Sequence, residues 1–248
     1  MFPLKDNIPT LRFPAVTVTL IVINVVAYLF WQRGGITLGE PTSEHFLCNL
    51  YDYAEIPFEV THPGEQVGLE GCGVPTAPTW LTLFTAMFMH GGLLHLGGNM
   101  LFLWIFGNNV EDSMGPVKFL LFYLLAGLAA AALQILIGPD SQVPNVGASG
   151  AIAGVLGGYL ILFPRARVIT VIFIIFFFTI VELPALLILG LWFVQQILFG
   201  YLDFNSGGEG GGVAYFAHIG GFAFGLLAIK LFADERKRLA QIDHVGRV

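Results

Sequence analysis

One serine and one histidine stand out in a largely apolar sequence, because their side chains can do chemistry together. Ser149 lies in the stretch VPNVGASGAIAG, directly before a run of apolar residues and glycines. His218 lies in AHIGG, at the start of another apolar run. A serine hydroxyl becomes a useful nucleophile when a neighbouring base accepts its proton, and neutral histidine can be that base. Ser149 and His218 are therefore candidate catalytic residues.

A second histidine and an asparagine are candidates for a supporting role. His95 and Asn99 are four residues apart in HLGGN, so both lie on one face if this stretch is helical. Their N–H groups can stabilise the negative charge that develops on a carbonyl oxygen during acyl transfer. We predict that both stabilise an oxyanion. No acidic residue occurs at the same depth, so the predicted catalytic unit is a Ser–His dyad.

These side chains are predicted to lie in one layer of a membrane. Ser149, His95 and His218 each precede by 16 residues a charged residue near the other end of the apolar segment (149 to 165, 95 to 111, 218 to 234). Sixteen helical residues rise about 24 Å, and the hydrocarbon layer is about 30 Å thick. All three are therefore expected several Å below the outer surface, with Asn99 one turn deeper.

The composition places the chain among polytopic membrane proteins. Its 248 residues are 56% hydrophobic and 11% charged, and the mean hydropathy is +0.77. Six apolar segments predict an all-α bundle of six transmembrane helices: Pro14–Trp31, Leu93–Phe106, Val117–Ile137, Gly150–Phe163, Pro184–Phe199 and Val213–Phe232. A seventh segment, Val168–Val181, has only 14 residues and is interpreted as an apolar connection at the cytoplasmic face.

The distribution of basic residues predicts the orientation. With six spans and both termini cytoplasmic, ten of the 11 Lys and Arg residues lie inside, and Arg33 alone lies outside. This agrees with the positive-inside rule. The predicted organisation is a cytoplasmic segment at 1–13, a membrane domain at 14–232 with an external loop at 32–91, and a cytoplasmic tail at 233–248. The 11 basic residues form no patch typical of nucleic-acid binding.

Glycines are placed where two helices have to approach each other. They recur every fourth residue in the two segments that carry the candidate dyad: Gly150, Gly154 and Gly158, then Gly221 and Gly225. Such patterns let membrane helices pack closely, as a hydroxyl and an imidazole on different helices require. Gly147, which follows Pro144, predicts an irregular approach to Ser149 that leaves backbone N–H groups free at the helix start.

Each residue also has a structural interpretation. Ser149 is suited to an N-cap, and histidine and asparagine within spans often form hydrogen bonds between helices. His90 is interpreted as structural. Four further polar residues are interpreted as hydrogen-bonding contacts between helices: Asn24, Gln134, Gln195 and Gln196. Only the shared depth of Ser149, His218, His95 and Asn99 favours catalysis over these alternatives.

Three stretches together resemble the rhomboid family of intramembrane serine proteases: MHGGLLHLGGNMLFLWIFGNNVEDSMG, VGASGAIAG and AHIGGFAFG. They follow the family's order, and the resemblance runs from Thr79 to Leu231. It implies that the family's nucleophile falls on Ser149 in its GxSG motif and the general base on His218. It also implies that His95, Asn99 and the backbone N–H of Ser149 stabilise the oxyanion.

The resemblance implies a six-helix bundle with a water-accessible site open to the outside. It further implies cleavage of single-span membrane proteins in or near the outer part of the bilayer, without metal or cofactor. Two features depart from the family. Ala153 replaces the large aromatic residue that stacks on the base in many members, and a Trp-Arg pair frequent in the first external loop is missing.

Two other functions compete with the protease. A rhomboid-like protein without activity would bind membrane clients and has no need of Ser149, His218 and Asn99 together. A metal site or transporter built on His90, His95 and His218 lacks both an HExxH motif and a carboxylate at the right depth. The expected partners are single-span substrates and the lipid bilayer, with no nucleic acid and no metal. We expect an integral protein of a bacterial plasma membrane, its site facing outside.

The two cysteines fit neither a CxxC pair nor a metal cluster. Cys48 and Cys72 both lie in the predicted external loop, where disulfides persist in an oxidising environment. The sequence leaves open whether they form one disulfide or remain two thiols.

Overall fold

A computed structural model of the chain describes residues 2–36, 38, 41–174, 177–206 and 212–245. Most of the described residues are helical. The helices are α1 (Ala15–Val26), α2 (Glu44–Tyr53), α3 (Pro57–Thr61), α4 (Thr79–Thr85), α5 (Leu93–Phe102), α6 (Asn108–Met114), α7 (Pro116–Ile137), α8 (Ser149–Leu162), α9 (Ala185–Asn205), α10 (Tyr215–Phe232) and α11 (Glu235–Val245). π-helical turns extend α1 (Ala27–Trp31) and join α5 to α6 (Leu103–Gly107), and a 3₁₀ turn extends α4 (Ala86–Phe88).

Every apolar segment predicted to span the membrane contains a helix. Three helices, α7, α9 and α10, are long and apolar enough to cross a bilayer, whereas α1 with its π-helical extension, α4 and α8 are shorter apolar helices. The α5 helix continues through its π turn into α6, so this helical run is longer than the predicted segment. The helical architecture is confirmed, and the count of six spans and the position of the termini remain predictions.

The expectation of an all-α fold is wrong in one region. Three antiparallel strands, β1 (Phe2–Asp6), β2 (Arg167–Ile174) and β3 (Phe177–Pro184), form a sheet in the order β1-β2-β3. The seventh apolar segment supplies β2 and β3, and the segment predicted as 1–13 supplies β1. Val, Ile, Thr and Phe dominate this stretch, and these residues favour strands over helices. As predicted, it adds no further helix across the membrane.

The α8 helix lies at the centre of the bundle. All of its residues from Gly150 to Tyr159 are buried, and its main neighbours are α10 and α7. A Cβ atom added to Gly221 of α10 would lie 2.0 Å from the carbonyl oxygen of Gly150, and one added to Gly225 would lie 2.0 Å from that of Gly154. The two helices therefore touch backbone to backbone, which confirms the close approach predicted from the glycines.

Buried carboxylates hold the first helix and the sheet against the bundle. The Glu111 carboxylate accepts hydrogen bonds from the backbone N–H groups of Val16 and Thr17, at 3.0 and 2.7 Å, at the start of α1. The Asp6 carboxylate at the end of β1 accepts hydrogen bonds from the Asn109 amide at 2.6 Å and from the Tyr159 hydroxyl. Burial raises the pKa of Asp6 to about 6.

The described residues of 32–91, termed here the first loop, are folded rather than extended. The loop contains α2, α3 and α4, and a disulfide joins Cys48 to Cys72, which decides the question that the sequence left open. An isolated antiparallel bridge pairs Glu55 with Asn145, a few residues before Ser149. The first loop is thereby attached to the chain segment that leads into α8.

Candidate active site

The backbone before α8 adopts a conformation that only glycine fits. Gly147 has a φ of +130°, and its N–H donates a hydrogen bond of 2.9 Å to the carbonyl oxygen of Ala86. A Cβ atom on Gly147 would lie 2.9 Å from Nε2 of His95 and 3.5 Å from Oγ of Ser149. The predicted irregular approach to Ser149 is present, and Gly147 leaves room for His95 beside the serine.

Ser149 is the first residue of α8, and its hydroxyl contacts His218. Nε2 of His218 lies 2.8 Å from Oγ of Ser149, which is hydrogen-bonding distance. His218 lies in the first turn of α10, where the backbone N–H of Ala217 donates to the side-chain oxygen of Gln134 on α7 at 3.1 Å. The structure thus brings the two predicted dyad residues together, and it confirms Gln134 as a contact between helices.

Ser149 and the next residues of α8 also provide backbone donors. The first N–H groups of a helix have no acceptor within that helix. Since α8 begins at Ser149, the N–H groups of Ser149 and Gly150 belong to this unpaired first turn. These N–H groups include that of Ser149, the backbone donor that the family resemblance implies.

His95 and Asn99 lie on α5, and the ring of His95 lies beside Gly147. Nδ1 of His95 accepts a hydrogen bond of 3.3 Å from the backbone N–H of Gly91, so in the neutral ring the proton is on Nε2, the nitrogen that faces Gly147. Asn99 is 8% exposed, and its amide nitrogen is buried without a hydrogen-bond partner. Asn99 therefore offers an N–H donor with no acceptor among the described residues, and Nε2 of His95 offers an N–H beside Gly147.

Sequence reasoning missed the most informative neighbour of the base. Oε1 of Gln196, on α9, lies 2.8 Å from Nδ1 of His218. The interpretation of Gln196 as a contact between helices is confirmed, but the spacing of residues gave no indication that its partner is His218. A helical-wheel projection of α9 could have placed Gln196 and Trp192, four residues apart, on one face.

The aromatic ring of Trp192, which lies on α9 like Gln196, also contacts His218. The ring centroid of Trp192 lies 5.7 Å from that of His218, with an angle of 38° between the planes. Ala153, where many rhomboids have an aromatic residue, is fully buried, and a Cβ atom on Gly221 would lie 3.4 Å from its Cβ. The tight contact between α8 and α10 occupies the space that a ring at position 153 would require.

A small cavity of about 50 Å³ opens beside the serine, and its wall includes residues of the first loop, α7, α8 and α10. Most of the lining side chains are small, as in Ala86, Ala130 and Gly150. Glu55 also lines it; this residue is 4% exposed, and burial raises the pKa of its carboxyl to about 7. The cavity is large enough for a few water molecules or a small side chain.

His90 does not form a cluster of metal ligands with His95 and His218. His90 is fully buried and its ring lies 5.2 Å from that of His95. Within the described part of the chain, no group of three His, Cys, Asp or Glu residues is arranged to hold a metal ion. The backbone of His90 exchanges hydrogen bonds with the Gln32 side chain, which agrees with a structural role for this residue.

The fold and this site are those of a polytopic helical membrane protein with a serine beside a histidine. The model of the rhomboid domain matches residues 77–235, which is more than half of the chain. The chain belongs to the rhomboid family. This membership and the three long apolar helices identify it as an integral membrane protein.

Named relatives come from several organisms. The chain is 29% identical to Rhomboid protein 1, mitochondrial, of Saccharomyces cerevisiae over 67% of its own length and 46% of the relative's. It is 42% identical to Rhomboid protease GluP of Bacillus subtilis over 33% of its own length and 15% of the relative's. It is also 42% identical to Rhomboid-like protein 11, chloroplastic, of Arabidopsis thaliana over 31% of its own length and 27% of the relative's.

The matched regions cover less than half of each of these three relatives. Two of the three names refer to a mitochondrion or a chloroplast, and the third relative comes from a bacterium. The names therefore do not support a bacterial plasma membrane over an organelle membrane as the location of this chain.

Proposed function

We propose that this protein is an intramembrane serine endopeptidase. It cleaves single-span membrane proteins in or near the outer part of the bilayer, with Ser149 as nucleophile and His218 as general base. The observation that carries the proposal is the distance of 2.8 Å between Oγ of Ser149 and Nε2 of His218. A nucleophile within hydrogen-bonding reach of its base is the arrangement that nucleophilic catalysis requires.

The first chemical step transfers one proton and forms one bond. Oγ of Ser149 attacks the carbonyl carbon of the substrate peptide bond while Nε2 of His218 accepts the hydroxyl proton. The carbonyl π electrons move to the oxygen, which becomes an oxyanion. When this intermediate collapses, the C–N bond breaks and the imidazolium gives its proton to the leaving amine. Water then hydrolyses the acyl-enzyme by the same two residues.

Three kinds of donor are available to the oxyanion. The amide nitrogen of Asn99 has no partner among the residues that the structure describes, Nε2 of His95 lies beside Gly147, and the first N–H groups of α8 are unpaired within the helix. Preorganised donors of this kind stabilise the transition state without reorganising during the reaction. Asn99→Ala should therefore lower the rate by about 100- to 1,000-fold.

Family membership and the three long apolar helices support substrates within the same membrane. A chain that is embedded in lipid meets single-span proteins by lateral diffusion. The site is near one end of α8 and α10, so a scissile bond close to a membrane surface can reach Ser149. We place this surface on the outer face, because the positive-inside rule puts most basic residues at the other ends of these helices.

The decisive test is proteolysis in reconstituted vesicles. The purified protein is mixed with a panel of single-span test proteins, and cleavage is followed by gel and mass spectrometry. The wild type should cleave at least one substrate, and Ser149→Ala should cleave none. Ser206→Ala, which changes an exposed serine after α9, should retain full activity. A serine-directed fluorophosphonate should label the wild type on Ser149.

Two results would contradict the proposal. Full cleavage by Ser149→Ala, or a fluorophosphonate adduct that maps to another serine, would exclude Ser149 as the nucleophile. Binding of the test proteins without cleavage, and without labelling of Ser149, would favour a rhomboid-like protein that only binds membrane clients.

A further inference from the structure

The base of the proposed dyad has a second hydrogen-bond partner on a helix that does not carry the nucleophile. Nε2 of His218 lies 2.8 Å from Ser149, and Nδ1 lies 2.8 Å from Oε1 of Gln196. Gln196 is 5% exposed, on the face of α9 that packs against α10. Three side chains from α8, α10 and α9 therefore form a continuous chain of contacts.

The amide of Gln196 is held with its oxygen toward the histidine. Its Nε2 donates a hydrogen bond of 3.3 Å to the backbone carbonyl oxygen of Trp192, one turn earlier in α9. A carbonyl oxygen can only accept, so the amide nitrogen has to face Trp192. The amide oxygen, which can only accept, is then the atom that faces His218.

This orientation determines which nitrogen of the neutral imidazole carries the proton. An acceptor at Nδ1 requires Nδ1–H, and Nε2 then has the free lone pair. Only this tautomer can accept the hydroxyl proton of Ser149. The opposite tautomer would place two acceptors face to face at Nδ1 and an N–H at the nucleophile.

Trp192 restricts the same ring by packing. Its ring lies 5.7 Å from that of His218 and 6.0 Å from that of Phe222, the residue one turn further along α10. Ala153 has no ring to provide such a contact from α8. In this chain, both the aromatic contact and the hydrogen bond to the base come from α9.

We infer that Gln196 is a positioning residue that completes a Ser149–His218–Gln196 triad, in which its side-chain oxygen holds His218 in the tautomer and orientation needed for proton transfer. This inference rests on the proposed function and goes beyond it by adding a third residue to the catalytic unit. During attack, Nε2 gains the serine proton, and the Nδ1–H of the imidazolium stays hydrogen-bonded to the neutral amide. No proton moves to Gln196.

Three variants test the inference. Gln196→Leu keeps the approximate volume and removes the acceptor, Gln196→Glu keeps an acceptor and adds negative charge, and Gln195→Leu is a matched control at the exposed neighbouring position. We expect Gln196→Leu to lower kcat by about 10- to 100-fold with little change in KM, by analogy with the loss of partners that orient metal-bound histidines. Gln196→Glu should restore much of the rate, and Gln195→Leu should match the wild type.

The pH dependence separates positioning from a general structural effect. A carboxylate beside Nδ1 stabilises the imidazolium, so the acidic limb of the kcat/KM profile of Gln196→Glu should move to higher pH. A loss of packing alone would lower the rate without moving this limb.

A spectroscopic measurement does not depend on turnover. With ¹⁵N-labelled histidine, the nitrogen spectrum of His218, assigned by comparison with His218→Ala, should report the Nδ1–H tautomer in the wild type and in Ser149→Ala. In Gln196→Leu the spectrum should become a mixture of tautomers. This result would stand even if no substrate were cleaved, so failure of the proposed protease activity can be distinguished from failure of the triad.

Two outcomes would overturn the inference. The first is an unchanged Nδ1–H tautomer and unchanged kcat in Gln196→Leu. The second is equal losses of rate and thermal stability in Gln196→Leu and Gln196→Glu, with identical pH profiles, because Gln196 would then contribute packing only.

Discussion

Among the helices that contact α10 near His218, α8 and α9 do so in different ways. At Gly150 and Gly221, the α8 helix touches α10 directly through backbone atoms. The α9 helix touches α10 through side chains: Phe193 stacks on Phe222 with 4.3 Å between ring centroids, and Gln196 reaches His218. The first contact has little freedom to change, whereas rotation of side chains can alter the second.

The difference assigns separate tasks to the two interfaces. The contact between α8 and α10 sets the distance from Ser149 to His218, because both residues lie on the helices whose backbones touch. The contact between α9 and α10 sets the orientation of the imidazole. Changes to the first interface should therefore destroy the site, and changes to the second should weaken it.

The largest effect is expected when the hydrogen bond between Ser149 of α8 and His218 of α10 is removed. Ser149→Ala and His218→Ala should each abolish nearly all cleavage, because neither residue transfers a proton without the other. The double variant should be scarcely slower than either single variant, since residues that act as one unit give strongly non-additive losses. The measurement is kcat/KM in vesicles for all three variants. Losses that multiply would show that the two residues act independently.

The next test separates the two backbones. A Cβ atom at Gly221 would lie 2.0 Å from the carbonyl oxygen of Gly150, so Gly221→Ala has to push α8 and α10 apart. We expect a rate loss of about 100-fold or more, since a displacement of about 1 Å at a reacting pair costs that much. The temperature of unfolding should also fall.

Gly190→Ala is the matched control for this substitution. Gly190 is also a helical glycine, in α9, but nothing lies within 4 Å of an added Cβ atom there. Its rate and unfolding temperature should remain those of the wild type. Equal effects of Gly221→Ala and Gly190→Ala would contradict the view that the contact of Gly221 with the α8 backbone requires glycine.

The same two interfaces show what the sequence can predict. Glycine spacing predicted the contact between α8 and α10, because only small residues permit it and their period is visible in one sequence. That Ser149, His218, His95 and Asn99 share one depth in the membrane stays a prediction. Gln196 was recognised as a contact, but its partner depends on the rotation of α9, which no pattern within α9 determines.

For a comparable reason, the sequence did not predict the three-stranded sheet. A short apolar run fits either a connection or a strand, and the choice depends on pairing with the distant residues Phe2–Asp6. Likewise, cysteine spacing left the pairing of Cys48 and Cys72 open, because it depends on how α2 packs within the first loop. Local periodicity predicted the helices and one contact between helices, whereas these two pairings of distant segments had to come from the structure.

A milder test acts on the second interface away from the base. Phe193→Ala removes the ring that stacks on Phe222 and leaves Gln196 in place. An aromatic pair contributes about 0.5–1.5 kcal/mol beyond its buried area, so we expect a rate loss of no more than about tenfold. The ¹⁵N spectrum of His218 should still report Nδ1–H. A rate loss as large as that of Gly221→Ala would show that both interfaces are equally sensitive to substitution.

The smallest expected effect lies outside both interfaces, in the first loop. Burial raises the pKa of Glu55 from 4.5 to about 7, so the folded protein binds this proton more tightly than the unfolded chain does. The resulting contribution to stability is fully present below pH 4.5 and is lost as the pH rises through about 7. The free energy of unfolding should therefore fall over this range.

Glu55→Gln tests this assignment, because the amide has nearly the same shape as the protonated carboxyl and does not ionise. The variant should unfold at a temperature a few degrees higher than the wild type at pH 8, and the difference should shrink toward pH 5. Asp6, whose pKa burial also raises, is present in both proteins, so the difference between their unfolding curves reports Glu55 alone. A constant difference at all pH values would mean that the Glu55 carboxyl does not titrate in this range.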